Sequence, residues 1–221
     1  MSDYESGEMN RAMYSTPIIQ RAERVRAARK PRAASVYQSE SALRVIERVE
    51  RETGDSSLRL SLHFTPGVVD RIERELILGC GLVADSNLIS AGLNREAVAR
   101  LSLQPQCFLD DPSVVSLAAQ KRITRAEVAV EQALSLSGPK LLVVGSAPMA
   151  LNRLLQLTQR APLHEVVIIA AASGFASVVE LKEQLWESGL PCIVMRGRRG
   201  GAGAAIAIAN ALLADAAAHQ P

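Results

Sequence analysis

Three short, almost purely aliphatic runs dominate the C-terminal third of the chain, and each is followed by a turn and a helix-length segment. They span residues 141–144, 166–171 and 192–195. Strands this apolar must be covered on both faces, as parallel strands are when they lie between two layers of helices. Two further short apolar runs, at residues 80–84 and 106–109, end at aspartates in the same pattern. We therefore predict an α/β fold, a single three-layer domain with about five strands, mostly parallel, and helices on both faces.

Helix-capping patterns predict where the earlier helices begin. Ser35 and Gln38 form a capping-box pattern at the start of a helix predicted over residues 36–52. Thr65 is the predicted N-cap of the next helix, with Pro66 at its first position.

The chain length favours one large domain over two. The 221 residues, 48% of them hydrophobic, are enough for a sizeable core. We predict a loosely ordered lead-in at residues 1–34 and the α/β domain at residues 35–221. The lead-in is basic, and a nucleic-acid or membrane arm is one interpretation of it. A solvated helix and linker is favoured, because no aromatic residues interleave with the charges. We therefore predict no nucleic acid and no membrane as partners.

Cysteine usage and hydropathy favour a cytoplasmic protein. The chain has an odd number of cysteines, with no C-x-x-C pair, and each lies beside or inside an apolar run: Cys80, Cys107 and Cys192. That pattern indicates small buried side chains in a reducing compartment and gives no metal site. The N-terminus is too polar for a signal peptide, and the apolar stretch at residues 206–218 is too short to span a membrane.

In open parallel sheets, ligands bind beyond the carboxyl ends of the strands. Five turns are predicted to meet there: residues 85–87, 110–111, 145–148, 173–175 and 196–203.

The turn at residues 196–203 has the strongest binding signal. It combines three arginines with four glycines just before a predicted helix. Glycines let backbone N–H groups approach a ligand, helix N-termini attract anions, and arginine binds carboxylate or phosphate through two hydrogen bonds. A flexible solvated loop is the alternative, and an anion site is favoured because of this donor density.

Two further helix starts and the histidines give weaker signals. The turn at residues 145–148 lacks the other glycines of a dinucleotide fingerprint and has no Walker lysine. Arg125 lies in a capping box between Thr124 and Glu127, where a cation suggests either a bound anion or a local salt bridge. The three histidines form no catalytic or metal-binding pattern, and His63 is expected to be a satisfied core or edge residue.

Several segments together resemble the precorrin-8X methylmutase family, also called cobalt-precorrin-8 methylmutase. Residues 144–151, VGSAPMAL, resemble the family's IGNAPTAL turn. Gly174 and Phe175, with Glu180 and Lys182, resemble its GFVGAAESK segment, and residues 196–201 resemble its RGRKGG. The resemblance runs from about residue 40 to 213, with the motifs in the family's order.

The resemblance implies a Rossmann-like homodimer that moves a methyl group from C11 to C12 of a corrinoid macrocycle. This intramolecular rearrangement needs no redox cofactor, so no cofactor is predicted. The implied substrate is an anionic, carboxylate-rich corrinoid, which suits arginines at glycine-rich helix starts. The candidate substrate-binding residues are Thr53, Ser86, Asn94, Arg125, Ser146, Gly174, Arg196, Gly197, Arg198, Gly200 and Gly201.

One position departs from the family's pattern. The resemblance implies a histidine three residues before Gly54, but Arg51 stands there. Arginine donates hydrogen bonds but does not exchange a proton near neutral pH. Arg51 is therefore the candidate catalytic residue of an isomerase with reduced activity, and a non-catalytic corrinoid-binding relative is the alternative. A nucleotide-binding α/β enzyme would explain the glycine turns but not the joint order of the motifs.

Overall fold

A five-stranded sheet forms the centre of the fold in a computed structural model, which describes residues 39–220. The sheet order is β1-β5-β4-β3-β2, with β2 to β5 parallel and β1 antiparallel at the edge beside β5. The strands are β1 (Leu62–Phe64), β2 (Gly81–Ala84), β3 (Lys140–Val144), β4 (Val166–Ala170) and β5 (Cys192–Met195). The predicted α/β class and the mostly parallel sheet are confirmed.

One predicted strand is wrong and another was not predicted. Residues 106–109 form no strand, because only Gln106 pairs with β2, through one bridge to Val83, before the chain turns at Phe108. The fifth strand is β1, whose three residues pair with β5. This strand is too short to give a periodic apolar pattern.

Helices cover both faces of the sheet, as predicted. One layer contains α1 (Glu40–Thr53), α2 (Val68–Ile77), α3 (Asn87–Gly92), α4 (Arg95–Arg100) and α9 (Ala202–His219). The other layer contains α6 (Arg125–Ser135), α7 (Pro148–Thr158) and α8 (Ala176–Glu187), with α5 (Pro112–Lys121) packed on α6. A short 3₁₀ helix, Ser56–Leu60, connects α1 to β1.

Two predicted helix starts are corrected. Helix α1 begins at Glu40, where the side chain of Ser39 accepts a hydrogen bond from the Ala42 N–H. The predicted capping box at Ser35 and the lead-in at residues 1–34 lie outside the described residues. Helix α2 is capped by Gly67 in a left-handed conformation, and not by Thr65. The Thr65 side chain instead bonds the backbone of Cys192, because β1 and β5 pair just before it.

Helix α9 is the central helix of its layer. It packs against α1, α2, α3 and α4 as well as the sheet, and ten of its residues are buried. Its 18 residues make it the one helix in the described part of the chain that is long and apolar enough to cross a membrane. The helix is thus longer than the apolar stretch at residues 206–218 on which the membrane prediction was based. A helix in the core of a domain can be as long and as apolar as a membrane-spanning helix, and the burial of α9 is that of such a core helix.

Candidate functional site

The carboxyl ends of β2 to β5 lie along one edge of the sheet, which we call the carboxyl edge. The predicted turns meet there through a continuous series of contacts. Asp85 follows β2 and bonds the turn after β3, and Gly145 lies against Gly201 in the turn after β5. The turn after β5 also contacts the segment after β4, because the Gly201 N–H donates a hydrogen bond to the Ala171 carbonyl at 2.6 Å.

Asp85 closes the N-terminus of α7. Its Oδ2 accepts from the backbone N–H groups of Gly145, Ser146 and Ala147 at 3.0, 2.8 and 2.6 Å. Burial raises the pKa of Asp85, and these three N–H groups oppose that shift. The turn that leads into α7, which has only a weak binding signal in the sequence, is thus already bonded by the chain's own carboxylate.

Two polar contacts connect neighbouring turns at the β2 and β3 end of the carboxyl edge. The hydroxyls of Ser86 and Ser146 are 3.0 Å apart. Asp110 accepts from Asn87 and from Arg125, each at 2.7 Å. The salt bridge to a neighbour that was weighed for Arg125 is therefore present, with both partners about half exposed.

The glycine-rich turn after β5 is packed tightly against the segment after β4. A Cβ atom on Gly200 would overlap the carbonyl oxygen of Ala171, and Gly200 has a φ of 137°. The Gly174 N–H donates to the Arg198 carbonyl at 3.2 Å. Only glycine fits at position 200, because both the close approach to Ala171 and this φ exclude a side chain.

The three arginines of this turn have different surroundings. Arg196 forms a two-bond ion pair with Glu183, with 2.8 Å between Nε and Oε1, and lies over Trp186. Arg199 bonds Asp55 at 3.1 Å and also Ser57. Arg198 is exposed and forms no side-chain hydrogen bond or ion pair with any residue from 39 to 220. Among the described residues, Arg198 is therefore the one arginine of this turn that can bind an anion without first breaking an ion pair.

The end of α1 lies beside the turn at residues 196–203, after β5, which we call the basic turn. Arg199 bonds Asp55 just after α1, and the Arg196 N–H donates to the Ser61 carbonyl. Arg51 is in the last turn of α1 with an exposed side chain. The Thr53 hydroxyl donates to the Val49 carbonyl at 2.7 Å within the same helix.

Asn94 is not brought into this group of turns. Its side chain caps α4 by accepting from the Ala97 N–H, and its own N–H donates to Asn210. Asn210 lies eight residues into α9, about 12 Å from the start of that helix at 1.5 Å per residue. A substrate-binding role for Asn94 stays a prediction.

No side chain caps the N-terminus of α9, and the backbone N–H groups of the turn before α9, unlike those of the turn before α7, are not bonded by a carboxylate of residues 39–220. Gly201 is its N-cap, and the N–H groups of Ala202, Gly203 and Ala204 bond no acceptor in residues 39–220. The N–H groups of Arg199 and Gly200, in the turn just before, likewise have no acceptor in that part of the chain. These donors form the anion-attracting part of the carboxyl edge.

The described residues include one histidine near the basic turn, His63, and no metal-binding group. His63, on β1, packs edge-on against Trp186 with ring centroids 5.7 Å apart. Burial and the nearby Arg196 lower the pKa of His63. Residues 39–220 hold no group of three or more His, Cys, Asp or Glu side chains that could bind a metal ion.

Sequence reasoning missed two parts of this site. Exposed apolar side chains border the carboxyl edge, at Leu60, Leu88, Met149 and Phe175. Lys182 is fully buried beneath the basic turn and donates to the Arg199 carbonyl. The apolar residues had no distinguishing pattern in the sequence, and Lys182 entered only through a family motif.

The model of one protein family, described as precorrin-8X methylmutase, matches residues 20–215. The chain belongs to this family. Its members take their name from an isomerase, a methylmutase of cobalamin biosynthesis. The predicted family membership, enzyme class and pathway are confirmed. The match begins within residues 1–34, and the loose order predicted for that segment stays a prediction.

Curated relatives carry the same name. The cobalt-precorrin-8 methylmutase of Methanothermobacter thermautotrophicus is 31% identical over 170 residues, which cover 77% of this chain and 79% of that protein. The cobalt-precorrin-8 methylmutase of Salmonella typhimurium is 33% identical over 173 residues, which cover 76% and 79%.

Solved structures agree in fold. The precorrin-8X methylmutase of Thermus thermophilus superposes with a TM-score of 0.72 at 27% identity, covering 81% of this chain and 88% of that one. A precorrin-8X methylmutase related protein superposes with a TM-score of 0.74 and 23% identity, covering 80% and 93%, and that likeness supports the fold alone.

Proposed function

We propose that this chain catalyses the migration of a methyl group from C11 to C12 of a carboxylate-rich corrinoid, bound at the carboxyl edge of the sheet. The observation that carries the proposal is the pairing of free anion-binding donors with an exposed apolar border along this edge. A corrinoid presents the matching chemistry, because its ring faces are apolar and its carboxylate arms project from the periphery.

The apolar border suits the ring. Phe175 is 82% exposed and Leu60 is 81% exposed, values that are high for large apolar side chains in a protein without a partner. Phe175 lies in the turn after β4, and Leu60 ends the 3₁₀ helix just before β1. Burial of such side chains by the macrocycle would contribute about 1.5–3 kcal/mol each.

The donors suit the carboxylate arms. Arg198 and the uncapped N-terminus of α9 lie on the same turn, so one arm can bond both the guanidinium and backbone N–H groups. The α7 N-terminus is less suited to an anion, because Asp85 already bonds the N–H groups of the turn that leads into it. Ser86 and Ser146 offer neutral hydroxyls there instead. Arg196 and Arg125 are further candidates that must first leave Glu183 and Asp110.

A corrinoid-binding relative without turnover is a second candidate function, and Arg51 favours it. By the family resemblance Arg51 stands where a histidine would protonate or hydrogen-bond the ring. Replacing a general acid with a group that keeps its proton costs about 10²–10⁴-fold in rate. Arg51 can still hold the ring system by hydrogen bonding, which is enough for binding.

We also propose a homodimeric, cytoplasmic protein. The family resemblance supports the homodimer. Cys80, Cys107 and Cys192 are free thiols, which suits a reducing compartment. Burial raises the pKa of Cys80 to about 11 and that of Cys192 to about 12, so both behave as inert core residues.

The test of the proposed reaction is incubation of the protein with precorrin-8 or cobalt-precorrin-8 while the visible spectrum is recorded. Conversion to a rearranged corrinoid that depends on protein concentration supports the methylmutase. A stable spectral shift without conversion selects the corrinoid-binding alternative. No interaction with either substrate would refute both candidates.

Arg198→Ala tests the anion site. Loss of one charge-assisted hydrogen bond, about 1.5–3 kcal/mol, should weaken corrinoid binding about tenfold or more in a spectroscopic titration. Arg160→Ala is the matched control, because Arg160 is also an exposed arginine but follows α7 at the opposite edge of the sheet. Equal affinities for the two variants would show that Arg198 does not contact the ligand.

A further inference from the structure

Lys182 is a buried lysine that the proposed reaction does not use. It lies on α8 with a fully buried side chain, and Nζ donates to the Arg199 carbonyl oxygen at 3.0 Å. No ion pair joins it to a carboxylate in residues 39–220, although Glu183 follows it in the chain. Burial lowers the pKa of Lys182 to about 8, and the negative charge of Glu183 opposes that shift.

A lysine in this setting is costly for the fold. Lysine is almost never fully buried without a charged partner, because removing the ammonium from water is unfavourable. A methionine has a similar length, fills the same space and carries no charge. Domain stability therefore does not explain a lysine at this position. The hydrogen bond from Lys182 to the Arg199 carbonyl explains it instead.

That hydrogen bond fixes the direction of a peptide in the basic turn. A trans peptide is planar, so its C=O and the following N–H point in opposite directions. No cis peptide occurs in the described part of the chain. With the Arg199 carbonyl directed inward to Lys182, the Gly200 N–H is directed outward. Gly174 acts in the same way on the preceding peptide, since its N–H holds the Arg198 carbonyl and turns the Arg199 N–H outward.

We infer that Lys182 is a positioning residue, which holds the peptide between Arg199 and Gly200 so that its N–H meets a substrate carboxylate. The inference rests on the proposed function, because it assigns that ligand to the same turn. Gly200 cannot keep this orientation by its own conformational preference, since its φ of 137° lies in a region where glycine has wide freedom. Lys182 restricts this peptide to one orientation by its hydrogen bond from the buried side of the turn, without contacting the substrate.

Lys182→Met tests the inference, and Lys140→Met is its matched control. Lys140 is also buried and donates from Nζ to a backbone carbonyl, that of Gly138, but it lies at the start of β3, at the opposite edge of the sheet. We expect the KM for cobalt-precorrin-8 to rise about tenfold in Lys182→Met, with kcat changed less than threefold, and both constants to stay near the parent values in Lys140→Met. Thermal unfolding of both variants separates this effect from loss of the fold.

The outcomes distinguish the two proposals. If the parent protein neither binds nor converts the substrate, the proposed function fails and the inference fails with it. If the parent binds and the two variants match it, Lys182 has no positioning role. If Lys182→Met does not fold, the Gly200 amide of the ¹⁵N-labelled parent is followed by NMR during titration with cobalt-precorrin-8. A downfield proton shift of this amide supports the inference, and an unchanged resonance at saturation overturns it.

Discussion

Arg51 stands in the last turn of α1 with an exposed side chain, close to the segment that Arg199 connects to the basic turn. By the family resemblance, a histidine at this position would hydrogen-bond or protonate the macrocycle. An imidazole with an unperturbed pKa of about 6.5 gives and takes a proton near neutral pH, whereas a guanidinium does not. We therefore predict that the identity of this residue affects the rate of the rearrangement more than the affinity for the substrate.

We expect Arg51→His to convert cobalt-precorrin-8 at least tenfold faster than the parent, with little change in affinity, because general acid catalysis contributes about 10²–10⁴-fold. Single-turnover spectroscopy measures the rate, and a titration measures the affinity. Arg74→His is the control, since Arg74 is likewise exposed in the last turn of a helix, α2. A parent as fast as Arg51→His would show that this fold does not need the histidine.

At the scale of elements, Asp85 connects two βα units. It directly follows β2, and its carboxylate bonds the turn that leads into α7, whose N-cap Ala147 has no side chain able to cap the helix. Its three hydrogen bonds therefore stabilise both the start of α7 and the spacing of the turns after β2 and β3.

We expect Asp85→Ala to lower the free energy of unfolding by about 2–4 kcal/mol, because it leaves three N–H groups of the turn before α7 without their charged acceptor. Urea denaturation measures the change. Asp111→Ala is the control: Asp111 is the N-cap of α5 but forms no capping hydrogen bond, so its loss should cost under about 1 kcal/mol. Similar values for the two variants would contradict the assigned role of Asp85.

The elements that the sequence predicted correctly are those with continuous patterns. The aliphatic runs that became β3, β4 and β5 are buried at every residue, so composition alone identifies them. Strand β1 escaped prediction because its residues are Leu, His and Phe, and its stability comes from pairing with β5. Residues 106–109 have the composition of a strand, but only Gln106 pairs with β2.

The site was predictable in its location but not in its contacts. Turns that follow parallel strands meet at one edge whatever their composition, so the sequence places the basic turn correctly. The ion pairs depend on distant partners: Glu183 is 13 residues from Arg196, and Asp55 is 144 residues from Arg199. No local pattern indicates that Arg198 alone of the three keeps its guanidinium free of such a partner in the described residues.

At the scale of the whole molecule, the support for a homodimer changes. The alanine-rich α9 has little polar surface and would suit packing against a second copy, but α1, α2, α3 and α4 cover it within the same chain. The exposed apolar side chains lie elsewhere. Among the described residues, four of the seven exposed large hydrophobic side chains border the carboxyl edge, namely Leu60, Leu88, Met149 and Phe175.

We expect the protein to sediment as a dimer at about 10 µM, because exposed side chains of this size are typical of surfaces that another molecule covers. Sedimentation velocity measures the assembly, and Phe175→Ser tests whether the border contributes to it. Leu78→Ser is the control: Leu78 is also highly exposed, but it lies at the C-terminus of α2, near the opposite edge of the sheet. A shift toward monomer in Phe175→Ser alone assigns the border to the dimer interface. A persistent dimer with weaker corrinoid binding assigns it to the substrate, and a parent that sediments as a monomer refutes the homodimer.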